Sequence, residues 1–246
     1  YLNDDLEKIS SPWLFKDMDK AVDILRIKIS HESKIRIICD YDIDGICSGY
    51  ILLDSLEKLG ANVDIVVPHR IEDGYGINKD LIKKAYDDGV DTILTCDNGI
   101  AAYEQVEYAK SLGMTIVITD HHEVAEELPE ALAIVDAKRK DNQYPCRDLA
   151  GVGVVFKLIQ AISIDLGLPE EEYLKYLDIV CVGTISDIVP LRDENRVIAK
   201  LGLMLVNQTK NIGLKSLLIS SGYKTIDSGA ISFGVAPRIN ASGRMG

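Results

Sequence analysis

The chain is short of positive charge. Lys and Arg number 27 against 39 Asp and Glu, a formal net charge of −12 over 246 residues, so a general polyanion-binding surface with its basic footprint is not expected. A metal-assisted phosphate site survives that deficit, because bound divalent ions can be the largest local charges in a site and reverse its sign. The sequence also lacks any run approaching the ~20 apolar residues of a membrane span. Its opening residues, YLNDDLEKIS, have neither the basic nor the apolar region of a signal peptide, and a cytoplasmic location is the default expectation. There is no C-x-x-C pair; the five cysteines, Cys39, Cys47, Cys96, Cys146 and Cys181, are odd in number and three sit inside apolar runs, which predicts buried free thiols. A Ser/Pro/Gly-rich linker, an internal repeat and a serine or cysteine triad are missing as well.

What is present is a core-forming composition, 47% hydrophobic, and a rhythm. After an opening stretch whose periodic part, MDKAVDILRIKI, reads as a helix, strand-like runs KIRIIC, NVDIVVP, DTILTC and MTIVIT alternate with helical runs GICSGYILLDSLEKLG, NKDLIKKAYDDG and IAAYEQVEYAKSLG. Several of these helical runs end in glycine, as helix C-caps do. A further short run, LAIVDA, adds a strand. Such alternation implies βαβ units and a fold of the α/β class, a mainly parallel β-sheet flanked by helices. From GVGVVFKLIQAISIDLG onward the pattern is mostly helical, through NRVIAKLGLMLVNQ and GLKSLLISSG to a glycine-rich, basic tail, SFGVAPRINASGRMG. The expected organisation is an N-terminal helical appendage at residues 1–30, an α/β domain at 31–200 and a helical connector at 201–246.

The stretch DYDIDG, Asp40 to Gly45, places three carboxylates on alternate positions. An EF-hand loop opens with this spacing but needs a bidentate Glu at its twelfth position and an incoming helix. Here the twelfth residue is Ile51 and the preceding residues are strand-like. Two other strands end in the same fashion: TILTC runs into Asp97 and Asn98, and TIVIT into Asp120, His121 and His122. Parallel strands deliver their C-terminal ends to one edge, where ligands of open α/β sheets bind, so these acids should converge. Carboxylates crowded together raise one another's pKa values unless cations neutralise them, and oxygen ligands with an imidazole suit Mn²⁺ or Mg²⁺. Asp187, between apolar residues in GTISDIVPL, is expected to complete the cluster, since a buried carboxylate needs a partner or an ion. Taken singly, Asp44 and Asp97 read equally well as helix caps, and His121 with His122 as a surface pair.

These residues resemble the DHH phosphoesterase superfamily, named for the triplet found here at Asp120, His121 and His122, and within it the branch of single-strand-specific exonucleases. The resemblance runs from about Ile35 to the end through DYDIDG, PHRIEDGYGIN, CDNGI, TDHHE, LAGVGVVFKL, GTISDIVPL and APRINASGRM. It implies two Mn²⁺ or Mg²⁺ ions held by Asp42, Asp44, Asp97, His121 and Asp187, with Asp40 supporting the ligands or orienting water and His122 facing the scissile phosphate. It further implies hydrolysis of single-stranded DNA from the 5′ end in recombination and repair, with single-strand-binding protein or a helicase as further partners. Many members carry a histidine four residues before the first Asp ligand; Ile38 stands there in this chain, which fits the exonuclease branch. The same branch carries a C-terminal DHH-associated domain that this chain is expected to stop short of. Alternatives within the superfamily are a phosphodiesterase of oligoribonucleotides or cyclic dinucleotides and a non-catalytic replication scaffold.

A second group of residues is assigned to phosphate contact. Gly151 and Gly153 offer backbone N–H groups at a helix start with Lys157 a turn away, or else simply allow close helix packing. His69 and Arg70 precede a DGYG turn and read as a loop contact to nucleic acid or as solvated charge. Arg238, Asn240 and Arg244 of the tail are implied by the resemblance to hold phosphates from a flexible, polar segment.

Overall fold

The computed structural model describes residues 8–70 and 74–242. Five strands, β1 (Ile35–Cys39), β2 (Val63–Val66), β3 (Thr92–Cys96), β4 (Thr115–Asp120) and β5 (Ala133–Asp136), form one parallel sheet in the order β2-β1-β3-β4-β5. The α/β expectation holds, and all five strand-like runs are strands. Because the chain leaves β1 for one edge through β2 and returns to build outward through β3, the order reverses between β1 and β3. That is the topological switch point at which open α/β sheets bind ligands.

Both faces of the sheet are covered, so its strands read as nearly continuous apolar runs. Ile35, Ile37 and Cys39 of β1 face one core, while Ile38 faces the other with Ile93, Ile116, Ile118 and Ile134. The larger core is closed by α1 (Met18–Ser30), α2 (Ile43–Lys58), α5 (Gly151–Asp165) and α7 (Leu177–Ser186). The smaller is covered by α3 (Lys79–Asp87) and α4 (Tyr103–Ser111), each followed by a glycine with positive φ, Gly89 at 74° and Gly113 at 78°. That conformation lets the backbone turn back toward the next strand without a Cβ clash.

Met18, Ala21, Val22 and Leu25 of α1 repeat at helical spacing and are all buried in the larger core. The helix set apart as an appendage at residues 1–30 is therefore packed within the fold over its described part. Beyond α7 come α8 (Asp193–Val206) and α9 (Ile212–Ser221), after the four-residue α6 (Glu171–Leu174) between α5 and α7. Residues 230–242 are not the flexible segment expected of a glycine-rich basic tail. They form a π-helical turn, Ala230–Val235, that runs into α10, Ala236–Ser242. The physical reason is that Ala230, Ile231, Val235 and Ala236 are buried and tie the segment to the larger core.

Candidate metal centre

The register that pairs Cys39 with Cys96 on β1 and β3 sets Asp40 and Asp97 side by side at the switch point. Strand alternation turns the two thiols into the core, and the acids that follow leave the sheet at its C-terminal edge. Asp42 caps α2, its Oδ1 accepting from Gly45 N at 3.0 Å. The helix starts at Ile43, so Asp44 lies in the first turn and not ahead of it. Asp44 does act as a cap, for a different helix: Oδ2 accepts from Gly151 N at 2.7 Å and Oδ1 from Val152 N at 2.9 Å, at the positive end of α5. Asp97 caps nothing. It sits in the left-handed region at φ 62°, where Asp is tolerated better than most residues, and turns its carboxylate toward His121.

His121 Nε2 is 3.0 Å from Asp97 Oδ1 and 3.8 Å from Asp44 Oδ2, and its Nδ1 is 3.8 Å from Asp187 Oδ2. Three sets of potential ligand atoms, each set within 4.8 Å, overlap here: Asp40, Asp42 and Asp97; Asp97, His121 and His122; and Asp44, His121 and Asp187. Asp97 and His121 each belong to two of them, an arrangement suited to two neighbouring cations. The residues fit such ions on their own chemistry. Asp40 Oδ1 is buried without a hydrogen-bond partner among the described residues, and Asp97 Oδ1 is buried against His121 Nε2 without a well-formed hydrogen bond; buried carboxylate oxygens of this kind are costly without a counter-charge. Burial, with Asp42 adding repulsion, pushes Asp40 up to about 6 and Asp44 up to about 7. Burial and then the charge of Asp44 push Asp187 up to about 6, and burial with repulsion from Asp44 and Asp42 raises Asp97 well above the usual carboxylate range. Burial in turn lowers the pKa of His121 and keeps its imidazole available as a ligand.

His122 belongs to a separate device. Its Nδ1 lies 2.7 Å from Asp120 Oδ1, and that hydrogen bond raises the imidazole pKa against the effect of burial. Burial works against ionisation of Asp120, yet the bond from His122 and the N–H groups of Ile100 and His121 outweigh it, and its pKa is lowered. The outer nitrogen, Nε2, is 3.5 Å from the Tyr75 hydroxyl, which also donates to Asp97 O at 3.1 Å. Beside His122 opens a cavity of about 350 Å³ lined in part by Ile77, Ile100, Ala101 and Gln105.

The phosphate-contact assignments fare less well. The N–H of Gly151 is committed to Asp44, so α5 offers its first turn to a carboxylate and not to a phosphate. Gly151 is there for close approach: a Cβ would meet Asp97 Oδ1 at 2.8 Å and Asp44 Oδ2 at 3.0 Å. At Gly153 the atoms nearest to a Cβ would be those of the Leu149 side chain, so packing accounts for it. Lys157 is fully buried, with Nζ 3.0 Å from Glu194 Oε1 and 2.6 Å from Ser10 O; it has no access to substrate. Arg238 donates to Gly234 O and, at 3.4 Å, to Ser220 O, both backbone carbonyls. Asn240 does reach the centre, its Oδ1 accepting from Ile43 N at 2.9 Å. Arg244 lies outside the described residues. Arg70 is exposed, its guanidinium 5.5 Å from the Tyr41 ring, which meets Tyr75 edge-on. His69 is half-buried beside it.

Sequence reasoning missed two supports. The sequence places Asp120 among the strand-end acids and in the triplet without giving it a role, although its place two residues before His122 is the available signal. Asn98 donates to Ile38 O at 3.0 Å and to Cys96 O at 2.9 Å while accepting from Ile77 N at 3.2 Å, so it staples the ends of β1 and β3. An amide directly after a strand-end acid was its only mark.

The chain is similar to known proteins in both sequence and fold. The family described as "DHH family, N-terminal domain" matches residues 34–184. The single-stranded-DNA-specific exonuclease RecJ of Bacillus subtilis is 44% identical over 236 residues, 95% of this chain and 29% of that protein. RecJ of Escherichia coli is 35% identical over 248 residues, 95% and 43% respectively; the chain thus spans less than half the length of these curated relatives. Among solved structures, exonuclease RecJ bound to manganese superposes with a TM-score of 0.86 at 33% identity, covering 94% of this chain and 58% of that one. RecJ in complex with Mn²⁺ from Thermus thermophilus gives 0.81 at 31% identity, covering 94% and 33%. With strand-end acids gathered at the switch point and the family match extending over more than half its length, the chain belongs to the DHH family.

Proposed function

We propose that this chain is the catalytic core of a metal-dependent phosphodiesterase, a RecJ-like exonuclease that digests single-stranded DNA from the 5′ end in recombination and repair. The observation that carries the reading is the convergence of Asp40, Asp42, Asp44, Asp97, His121 and Asp187 at one sheet edge, with overlapping sets of ligand atoms. Asp42, Asp44, Asp97, His121 and Asp187 would hold two Mn²⁺ or Mg²⁺ ions. When bound, such ions supply an activated water as nucleophile and positive charge for an in-line displacement at phosphorus.

The side chains do the rest. Asp40, buried beside Asp42 and Asp97, orients the ligands or the water. His122, held at Nδ1 by Asp120, keeps its proton to a higher pH than a free imidazole and presents Nε2 as a donor to a phosphoryl or leaving oxygen. Arg70 stacked on Tyr41, with Tyr75 leading from it to His122, forms a cationic and aromatic path suited to a single strand. Single-stranded DNA is the partner, with single-strand-binding protein or a helicase supplying it, in the cytoplasm.

The test is a Mn²⁺-dependent nuclease assay on a long 5′-labelled single strand and on a dinucleotide, with wild type and Asp97→Ala. Mononucleotides released from the labelled end by wild type and not by the variant are expected. Equal activity of the two proteins refutes the role of Asp97, and hydrolysis confined to the dinucleotide refutes the long-strand substrate.

A further inference from the structure

Asn240 lies 197 positions from Ile43 and yet bonds to the first turn of α2, the turn that carries Asp42 and Asp44. Four leading N–H groups of a helix lack intrahelical acceptors. In α2 the first intrahelical bond runs from Ile46 N to the Asp42 carbonyl at 2.8 Å, and of the N–H groups ahead of it that of Gly45 is satisfied by Asp42 Oδ1. The N–H of Ile43 is satisfied from outside, by Asn240 Oδ1 at 2.9 Å. That N–H belongs to the peptide plane joining Asp42 to Ile43, so the bond fixes the plane from which the Asp42 carboxylate departs. The segment has little slack elsewhere, since a Cβ at Gly45 would lie 2.5 Å from Asp40 O. On the other side, α10 is anchored through the buried Ile231, Val235 and Ala236 that lead into it.

We propose that Asn240 is a positioning residue: by closing the N-terminus of α2 from α10 it sets the orientation of Asp42 and Asp44, and the affinity of the centre for divalent metal depends on that clasp. The inference rests on the metal reading above and assigns Asn240 a role other than phosphate contact. Groups that orient metal ligands from outside typically govern affinity by about 10- to 100-fold.

The experiment titrates wild type, Asn240→Ala and Asn240→Asp with Mn²⁺ alone by calorimetry. Amide hydrogen exchange at Ile43 and the melting temperature are followed in metal-free protein. Expected are an affinity about 10-fold or more weaker in Asn240→Ala, faster exchange at Ile43 and a melting temperature within a few degrees of wild type. Asn240→Asp, which keeps the acceptor, should return affinity to within about threefold of wild type. Unchanged Mn²⁺ affinity in the alanine variant, or failure of aspartate to restore it, overturns the proposal. Should Asn240→Ala not fold, Asn240→Ser, whose hydroxyl is too short to span the gap, is judged by the same outcomes. Wild-type protein that takes up no Mn²⁺ refutes the metal reading itself, whereas retained affinity in the variant refutes only this inference.

Discussion

Asp120 holds His122 at its inner nitrogen, Oδ1 to Nδ1 at 2.7 Å, while Nε2 faces Tyr75. The carboxylate thereby decides both the tautomer and the pKa of the imidazole, which its hydrogen bond raises. Asn at position 120 would keep an acceptor for the neighbouring N–H groups but remove the charge. His122 would then lose its proton at a lower pH. In a reaction that uses protonated His122, the alkaline limb of the kcat profile should move down by about one pH unit or more. The maximal rate should fall by about 100-fold, with KM little changed. A profile with its alkaline limb unmoved would separate His122 from proton donation.

Gly151 and Gly153 lie two residues apart in one helix and should respond differently to alanine. At Gly151 the new methyl would press on Asp97 Oδ1 and Asp44 Oδ2, both within 3.0 Å, and Asp44 is held in place by bonds from Gly151 N and Val152 N. Gly151→Ala should lose about 100-fold in Mn²⁺-dependent activity, the loss that a misplacement of about 1 Å can cause. Gly153→Ala first meets the Leu149 side chain, 3.2 Å away, and should stay within about threefold of wild type while gaining helix propensity. Activities that fall together would place the cause in the helix as a whole.

Much of this was legible in the sequence, because strand-end acids are a local pattern that the parallel topology gathers in a predictable place. Asp42, Asp97 and His121 could be brought together from strand positions alone, and Asp187 joined them through its apolar flanks. The role of Asp44 was not legible in full. A carboxylate that caps a helix starting 107 residues later leaves no local trace, and the glycines that allow the approach look the same as a phosphate loop. Lys157 misled for a similar reason: helical spacing places a residue on a face but does not say what the face meets. Asn240 acts through a hydrogen bond whose partner, 197 positions away, only the folded chain supplies.

Lys157 and Glu194 form a fully buried pair, Nζ to Oε1 at 3.0 Å, with the Tyr144 hydroxyl also bonded to Glu194. Removing one partner leaves a charge without compensation, at a cost of about 3 to 5 kcal/mol. Lys157→Met should lower stability by that amount in denaturant unfolding and leave KM for single-stranded DNA unchanged in the folded fraction. A raised KM at unaltered stability would reverse the structural assignment and return Lys157 to the phosphate.

The acids of the centre make stability depend on pH in an unusual direction. Asp40 and Asp187 titrate near 6 and Asp44 near 7 in the metal-free fold, against about 4 for an unfolded carboxylate. Between about pH 4 and 7 the folded chain therefore binds more protons than the unfolded one, and its stability falls as pH rises. Ion-paired acids such as Asp64, held low by Arg36, act in the opposite sense below that window, and His121, whose pKa burial lowers, opposes the three carboxylates within it as a single group. Bound metal needs deprotonated ligands, so its stabilisation grows with pH. In chelator, the melting temperature should decline from pH 5 to pH 8. Saturating Mn²⁺ should recover about 5 to 10 °C at pH 8, the shift expected for about 100-fold excess over the dissociation constant in a chain of this size, and much less at pH 5. A chelated protein that melts at one temperature across this range would mean that the carboxylates are not crowded, and the centre would lose its electrostatic reason to hold a cation.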